Sequence, residues 1–422
     1  LRATHSGIMQ KINRYITALA LGINSGLIYA LLGSTLTAYL DDSRISLVTV
    51  GFLSLRMMPY SFKLVWSPFV DNLKIKLFQR NFGQRKAWLI ISQSVLILCI
   101  IFLGSIDVQQ HLNIFFCITL IIALMGATSD IALEGYRIEL FEKDSAHKGN
   151  SFIILGFRVG LFISGSLGLY LAAIYSWQTV FILMGAFLVP SLLVICFSKD
   201  NRIVAEEHSA LRFRFWIKEN FIKAIAILFK RKKIIYIVFL LGFYKVSDAY
   251  VDTMLIPFLT QVGFYKVNIA TAKMIGIITG ILGTFVGVKI IHKVGMMWSL
   301  LSAEILAAIT NLLFLFLIYF EKNKTLLYVI NGAESFFGGI ANIVLISYMS
   351  SMCNNKKFIA SHYALLASFS IVFRVLLSST SGWLVVEMGW LQFFIISALL
   401  STPSLLCMYF IFFRNKKQIG VI

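Results

Sequence analysis

The chain is 422 residues long, 59% hydrophobic and only 14% charged, with a mean hydropathy of +0.84. A water-soluble domain of that length needs far more polar surface, so a soluble globular protein is excluded. The net charge of +19 sits in alternate connections between apolar blocks. It therefore reads as a determinant of membrane orientation and not as a nucleic-acid surface.

The apolar blocks are continuous, and each approaches the roughly twenty residues that cross a bilayer as a helix. In lipid only helices and closed barrels satisfy their own backbone groups, and blocks without alternation select the helix. The pattern predicts an all-α polytopic membrane protein with twelve transmembrane helices in two six-helix parallel repeats. In chain order the spans are expected at about 15–40, 47–70, 87–106, 112–138, 151–175, 177–197, 234–260, 269–291, 296–320, 326–352, 358–386 and 390–413. The longest polar stretch, 198–233, reads as a cytoplasmic linker between an N-terminal half (1–197) and a C-terminal half (234–422). Within it, Arg212–Lys233 is basic and partly amphipathic through Phe213, Phe215, Trp216 and Phe221. That suits either a topogenic linker or a helix lying on the anionic inner leaflet. Pro59 and Pro257 are expected to kink the second and seventh spans.

Basic residues are retained on the cytoplasmic side. Arg2, Lys11 and Arg14 precede the first span, Lys74, Lys76, Arg80, Arg85 and Lys86 follow the second, and ten more lie in the linker. The opposite side offers only Arg44, Lys266, Lys322 and Lys324. Both termini are therefore expected in the cytoplasm, with the first span serving for insertion. Five cysteines, Cys99, Cys117, Cys196, Cys353 and Cys407, show neither metal-ligand spacing nor a disulfide framework.

A charge at the centre of a spanning helix costs about 2.5–3.5 kcal/mol even on a lenient scale, so it faces the bundle interior and usually has a purpose. The second span carries Arg56 and Lys63. The fourth carries Asp130 and Glu134, four apart and so on one helical face, with Arg137 beyond them. The fifth has Arg158 beside a small-residue stripe, Gly156, Gly160, Ser164 and Gly168, that permits close helix packing. The seventh has Lys245, Asp248 and Asp252 at three- and four-residue steps. Lys273, Glu304, Glu334 and Arg374 follow, one each in spans eight to eleven, and His362 opens the eleventh. These residues predict a polar cavity in which carboxylates take up protons and cations hold an anionic solute. Asp130, Glu134 and Asp248 are the candidates for proton coupling. Lys245, Lys273, Arg158, Arg374 and Glu334 are the candidates for binding the solute. Arg137, Glu139, Lys63 and Glu304 fall towards helix ends, where a charge more often forms a bundle-stabilising ion pair or reaches the interface.

An internal repeat supports the division into halves. Phe157-Arg158-Val159 recurs as Phe373-Arg374-Val375. Trp177 and Pro190-Ser191-Leu192-Leu193 recur, with the same Trp-to-Pro spacing, as Trp390 and Pro403-Ser404-Leu405-Leu406. Parallel six-helix repeats are the major-facilitator arrangement. After the second span, Ser67 and Asp71 followed by Arg85 and Lys86 resemble the signature of that superfamily, with Ser67 in place of Gly and a longer loop. The resemblance makes Asp71, Arg85 and Lys86 candidates for gating.

Within that superfamily the chain resembles the AmpG-type muropeptide permeases. Thr128-Ser129-Asp130-Ile131-Ala132-Leu133-Glu134-Gly135-Tyr136-Arg137 is similar to their Ser-x-Asp-Ile-x-x-Asp-Ala-x-Lys segment. Phe62-Lys63-Leu64-Val65-Trp66-Ser67-Pro68 is similar to their Phe-Lys-Phe-x-Trp-Ser-Pro, and Tyr244-Lys245-Val246-Ser247-Asp248-Ala249 to their Tyr-Lys-x-x-Asp-Ala. Glu334 before Gly338-Gly339, Cys353-Asn354, Ala364-Leu365-Leu366 and Arg374-Val375 also match. Glu134, Arg137, Tyr136 and His362 replace the family's Asp, Lys, Trp and Gln. The resemblance implies proton-driven import of N-acetylglucosaminyl-1,6-anhydro-N-acetylmuramyl peptides across the bacterial inner membrane, for cell-wall recycling. It also implies that Tyr136 and Tyr244 stack on sugar rings.

The partners implied are a small anionic solute, protons and the lipid bilayer, with a monomeric chain, no nucleic acid, no metal and no cofactor beyond the proton gradient. An alternative cargo is another anionic solute, such as acetyl-CoA or a nucleotide. The charged residues named inside the spans, seven basic and six acidic, are nearly balanced and give a polyanion no marked advantage. No nucleophile elbow, metal-protease or phosphate-loop motif is present, so an enzyme is not expected.

Overall fold

The computed structural model describes residues 2–72, 83–141, 146–198, 223–229, 233–320, 322–353 and 359–412. They are helical throughout, with no strand among them. The first span is Ile12–Asp42, and Gln84–Leu103, Leu112–Arg137, Lys148–Ile174 and Trp177–Phe197 form spans three to six. Ile234–Val262, Lys266–Val294, Met296–Tyr319 and Lys324–Ser351 form spans seven to ten. The second span comprises Leu47–Leu53, a tighter turn at Ser54–Met57 and the helix Met58–Asn72. In the last apolar stretch Gly389 stands at φ 78°, ψ 173°, outside helical geometry. The chain reverses there, between an eleventh span that begins at Ile359 and a twelfth that ends at Phe412. The twelve expected spans are thus present. Short connections are closed by local chemistry. Ser46, Ser176 and Asn323 accept a backbone N–H from the first turn of the following helix, and Gly263 ends the seventh span at φ 97°.

The chain divides into two compact units, Leu1–Ser43 with Phe62–Ala210, and Arg44–Ser61 with Leu211–Ile422. In the first unit, the first and fifth spans lie in unusually close contact. A Cβ on Gly22 or Gly26 would strike the carbonyls of Ile153 and Phe157, and one on Gly156 or Gly160 those of Leu19 and Ile23. This is the expected use of the small-residue stripe. Both spans then widen by one π turn, Leu31–Thr35 and Phe162–Leu167, and Thr35 Oγ1 donates to the Ser164 carbonyl there at 2.8 Å. Tyr136, Phe141, Ile131 and Leu89 form the core beside the fourth span.

In the second unit, the eighth span presents Gly276, Gly280, Gly283 and Gly287 to the tenth, where the backbone of Ser335 and Phe336 and the side chain of Ile343 leave no room for larger residues. The first part of the second span packs on the eleventh in this unit. A Cβ on Gly382 would collide with the Leu47 carbonyl.

The proline expectations divide. Pro59 follows the tight turn of the second span, at the helix start where proline is tolerated. Pro257 instead lies inside the unbroken helix Val246–Val262. The seventh span breaks earlier, at Tyr244 and Lys245, between Ile234–Phe243 and Val246–Val262. Of the basic stretch Arg212–Lys233, the described part is a helix at Lys223–Phe229 together with Lys233; the rest lies outside the described residues.

Candidate functional site

In the first unit the fourth span positions two carboxylates one turn apart. Asp130 accepts a hydrogen bond from Ser25 Oγ of the first span at 2.6 Å. Glu134 is paired with Lys63 Nζ at 2.8 Å, half of the Glu134 side chain being open to solvent. Lys63 and Glu134 also act electrostatically on Asp130, so the three form one cluster. Lys63 is thus held by Glu134 in an ion pair within this unit. Beside them, Asn24 Nδ2 donates to Ser129 Oγ at 3.5 Å.

The second unit holds a larger cluster around the break in the seventh span. Lys245 adopts φ 63°, ψ 15°, a left-handed conformation rare for a residue with a Cβ. Its Nζ is 3.1 Å from Asp248 Oδ2 and donates to the Gly338 carbonyl at 3.1 Å. Asp248 Oδ1 accepts from Asn311 Nδ2 at 2.9 Å, and the same amide donates to Ser247 Oγ. Lys273 lies 3.8 Å from Asp252. Glu334 interacts electrostatically with Asp252, Asp248, Lys273 and Lys245, and it accepts from Ser335 Oγ at 3.0 Å. The convergence is tight. A methyl group on Gly338 would lie 3.7 Å from Glu334 Oε1 and 3.8 Å from both Asp248 Oδ2 and Lys245 Nζ.

Glu304 belongs to this cluster, which corrects its expected place near a helix end. It is 2% exposed. Its Oε1 accepts from Ser404 Oγ at 2.9 Å and its Oε2 from the Lys245 backbone N–H at 3.4 Å. Sequence reasoning did not single out Asn311, and it met Ser404 only as part of the repeated Pro-Ser-Leu-Leu. The repeat itself was the usable signal. The equivalent Ser191 donates to the Ala20 carbonyl of the first span at 3.0 Å, so this position ties the last span of each half to its neighbours.

The other expected site residues have plainer surroundings. Tyr136 is buried in the core with its hydroxyl 2.9 Å from Ser198 Oγ, and Tyr244 is fully buried. Neither ring face is open in this structure. Arg158 is half-buried on the fifth span. Arg374 Nε donates to the Ser370 carbonyl at 3.1 Å. Arg85 Nη1 donates to the Gly135 carbonyl at 2.9 Å and Lys86 Nζ to the Ser198 carbonyl at 2.7 Å, cations set against C-terminal carbonyls as the helix dipole favours. The Asp71 side chain lies outside the described residues, so its expected partnership with them does too. No group of three or more metal-ligating side chains occurs among the described residues.

Comparison with known proteins agrees with this architecture. Residues 15–357 match the family model of the Major Facilitator Superfamily. A putative transporter AmpG 4 of Rickettsia conorii is 30% identical over 93% of this chain and 94% of its own length. The anhydromuropeptide permease of Escherichia coli K12 is 28% identical over 92% of this chain and 77% of its own. Among solved structures, a D-xylose-proton symporter superposes with a TM-score of 0.71 at 12% identity, covering 95% of this chain and 97% of that one. A nucleoside transporter superposes with a TM-score of 0.70 at 12% identity, covering 94% and 100%. The chain therefore belongs to the Major Facilitator Superfamily, as a divergent AmpG-type permease: a multi-pass membrane transporter of a small molecule and not an enzyme.

Proposed function

We propose that this carrier imports anhydromuropeptides, N-acetylglucosaminyl-1,6-anhydro-N-acetylmuramyl peptides, together with protons across the bacterial inner membrane, with both termini in the cytoplasm. The observation that carries the reading is the bonded set Lys245, Asp248, Asn311 and Gly338 inside the second unit, with the Glu334 carboxylate beside it. It contains the Tyr-Lys-x-x-Asp-Ala segment shared with the permease family and places cations and carboxylates within reach of one point. Carriers built from two parallel repeats expose a binding site alternately by rocking one repeat against the other. A lysine paired to a carboxylate can exchange that partner for a carboxylate of the peptide. The carboxylate released is then free to take a proton. In the first unit Asp130, whose hydrogen-bond partner among the described residues is the neutral Ser25 hydroxyl, is the second candidate for proton exchange. Lys273, Arg158 and Arg374 supply further positive charge for the peptide.

The nucleotide and acetyl-CoA reading has less support. Around the break in the seventh span Asp248, Asp252, Glu304 and Glu334 outnumber Lys245 and Lys273, an unfavourable balance for a polyphosphate.

Uptake of radiolabelled muropeptide into proteoliposomes under an inward proton gradient tests the proposal. Accumulation that collapses with a protonophore is expected, as is its loss in Asp130→Asn and Asp248→Asn. Normal coupled uptake by both variants refutes the residue roles. Uptake blocked by excess unlabelled nucleotide refutes the cargo.

A further inference from the structure

The seventh span breaks where neither glycine nor proline stands. Lys245 is left-handed there, a conformation that crowds any residue bearing a Cβ, so its surroundings must hold it. Glu304 of the ninth span does so by accepting the Lys245 backbone N–H, while Ser404 of the twelfth span holds the other carboxyl oxygen. At 3.4 Å the bond to Lys245 is long, near the limit at which such a bond acts.

Glu304 is enclosed, and its two partners are both neutral donors. Among the described residues no cation pairs with it. Beside it the Tyr244 hydroxyl, 0% exposed, has no hydrogen-bond partner among the described residues and interacts electrostatically with Glu304 and Asp248. The titratable and charged groups facing Glu304 are thus Tyr244, Lys245 and Asp248 of the seventh span. The twelfth span contributes Ser404, and Glu334 of the tenth faces Asp248 and Lys245 instead.

We infer that Glu304 is a proton-exchanging group whose protonation switches the break in the seventh span. The inference rests on the proton-coupled reading above and assigns it a regulatory residue. As a carboxylate, Glu304 holds Lys245 left-handed, and from there the ammonium reaches Asp248 and the Gly338 carbonyl. When a proton from bulk water adds to Oε2, that oxygen gains a donor, for which the orphaned Tyr244 hydroxyl oxygen is the available acceptor, and becomes a neutral, weaker acceptor itself. The long bond from the Lys245 N–H loses its charged acceptor and the left-handed turn loses most of its support. Lys245 relaxes, and its ammonium leaves Asp248 and the Gly338 carbonyl. The proton later returns to water from the same oxygen; no other bond forms or breaks. The positioning of Lys245, and with it affinity for an anionic cargo, thereby follows the proton.

Glu304→Gln tests this, because it keeps the shape and an acceptor but cannot exchange a proton. In purified, lipid-reconstituted protein, the infrared difference spectrum between acidic and neutral pH should contain a carboxylic-acid carbonyl band. That band should vanish in Glu304→Gln, shift in Ser404→Ala and persist in Asp130→Asn. In proteoliposomes Glu304→Gln should exchange radiolabelled muropeptide at equilibrium yet accumulate it at least tenfold less than wild type under a proton gradient. A spectrum in which Glu304→Gln removes no carboxylic-acid component, or wild-type accumulation, overturns the inference. If Glu304→Gln does not fold, an unshifted band in Ser404→Ala overturns it instead. A wild-type protein that takes up no muropeptide refutes the proposed cargo, while the infrared arm, which needs no cargo, still decides Glu304.

Discussion

Trp390 donates its indole N–H to Gln261 Oε1 at 2.7 Å, joining the start of the twelfth span to the end of the seventh. The first unit contains the same bond. Trp177 Nε1 donates to Asp42 Oδ2 at 2.7 Å, joining the start of the sixth span to the end of the first. The sequence repeat is therefore also a repeat of contacts, in which the last helix of each half is tied to its first by an aromatic donor. Trp177 also packs on Tyr39 and Phe181, and Trp390 on Phe258, Phe393 and Phe394.

Both bonds sit at exposed helix ends, so the ring should matter more than the hydrogen bond. Trp177→Phe and Trp390→Phe are each expected to cost about 1 kcal/mol. The alanine variants, which also remove the packing, should cost about 3–5 kcal/mol. Thermal melting in one detergent, followed by tryptophan fluorescence or size-exclusion recovery, would check this order. Equal losses for Phe and Ala at either position would contradict it.

The Lys245–Asp248 pair is expected to behave as an enclosed ion pair. Lys245→Ala leaves Asp248 with a neutral amide for company, and the loss should be about 3–5 kcal/mol. Lys245→Ala with Asp248→Ala removes both charges, and its stability should recover most of that loss while uptake stays abolished. A double-mutant cycle on melting temperature measures the coupling. A double variant no more stable than Lys245→Ala alone would argue that the ammonium's bond to the Gly338 carbonyl, and not the pair, dominates.

The parts of this arrangement legible in sequence were those with a period or a price. Twelve apolar blocks, the positions of Asp130, Glu134, Lys245 and Asp248, and the repeated Trp and Pro-Ser-Leu-Leu segments all stand out against lipid-soluble neighbours. The break at Tyr244–Lys245 did not, because it depends on a distant acceptor, Glu304, and carries no local breaker. Pro257, which does look like a breaker, is accommodated within a continuous helix. Glu304 is not legible as enclosed, because sequence position alone does not show which residues of a span are covered by other helices. Only the packing of the ninth span against the seventh and twelfth encloses it. Tyr136 has the chemistry of a sugar platform, yet its hydroxyl bonds Ser198 inside the core. Its residue type does not reveal which helical face it occupies.

Close backbone approach gives a different kind of prediction. Within the second unit, Gly51 and Gly382 bring the second and eleventh spans so near that a Cβ on Gly382 would collide with the Leu47 carbonyl. Gly382→Val must push these segments apart. Destabilisation of about 1–3 kcal/mol is expected from overpacking, with strong loss of transport. Gly33, around which a Cβ meets nothing within 4 Å, is the control, and Gly33→Ala should melt and transport as wild type. A Gly382→Val protein indistinguishable from that control would show that the close contact is dispensable.

The Ser25–Asp130 bond is the last and sharpest case. At 2.6 Å it is as short as hydroxyl-to-carboxylate bonds become. The nearby charges of Lys63 and Glu134 are already joined to each other. Ser25→Ala removes the donor but no bulk, so the fold should hold while Asp130 loses the bond that orients it. A hydrogen bond to a charged group contributes about 1.5–3 kcal/mol. That corresponds to roughly a tenfold or greater change in any step that needs Asp130 oriented. The initial rate of proton-driven uptake should fall by about that factor in Ser25→Ala and return in Ser25→Thr, which restores the hydroxyl. Rescue by Thr separates an orienting bond from simple packing, because Thr adds volume at the site and would aggravate a packing defect. If Ser25→Thr is no better than Ser25→Ala, the hydroxyl is not what Asp130 needs.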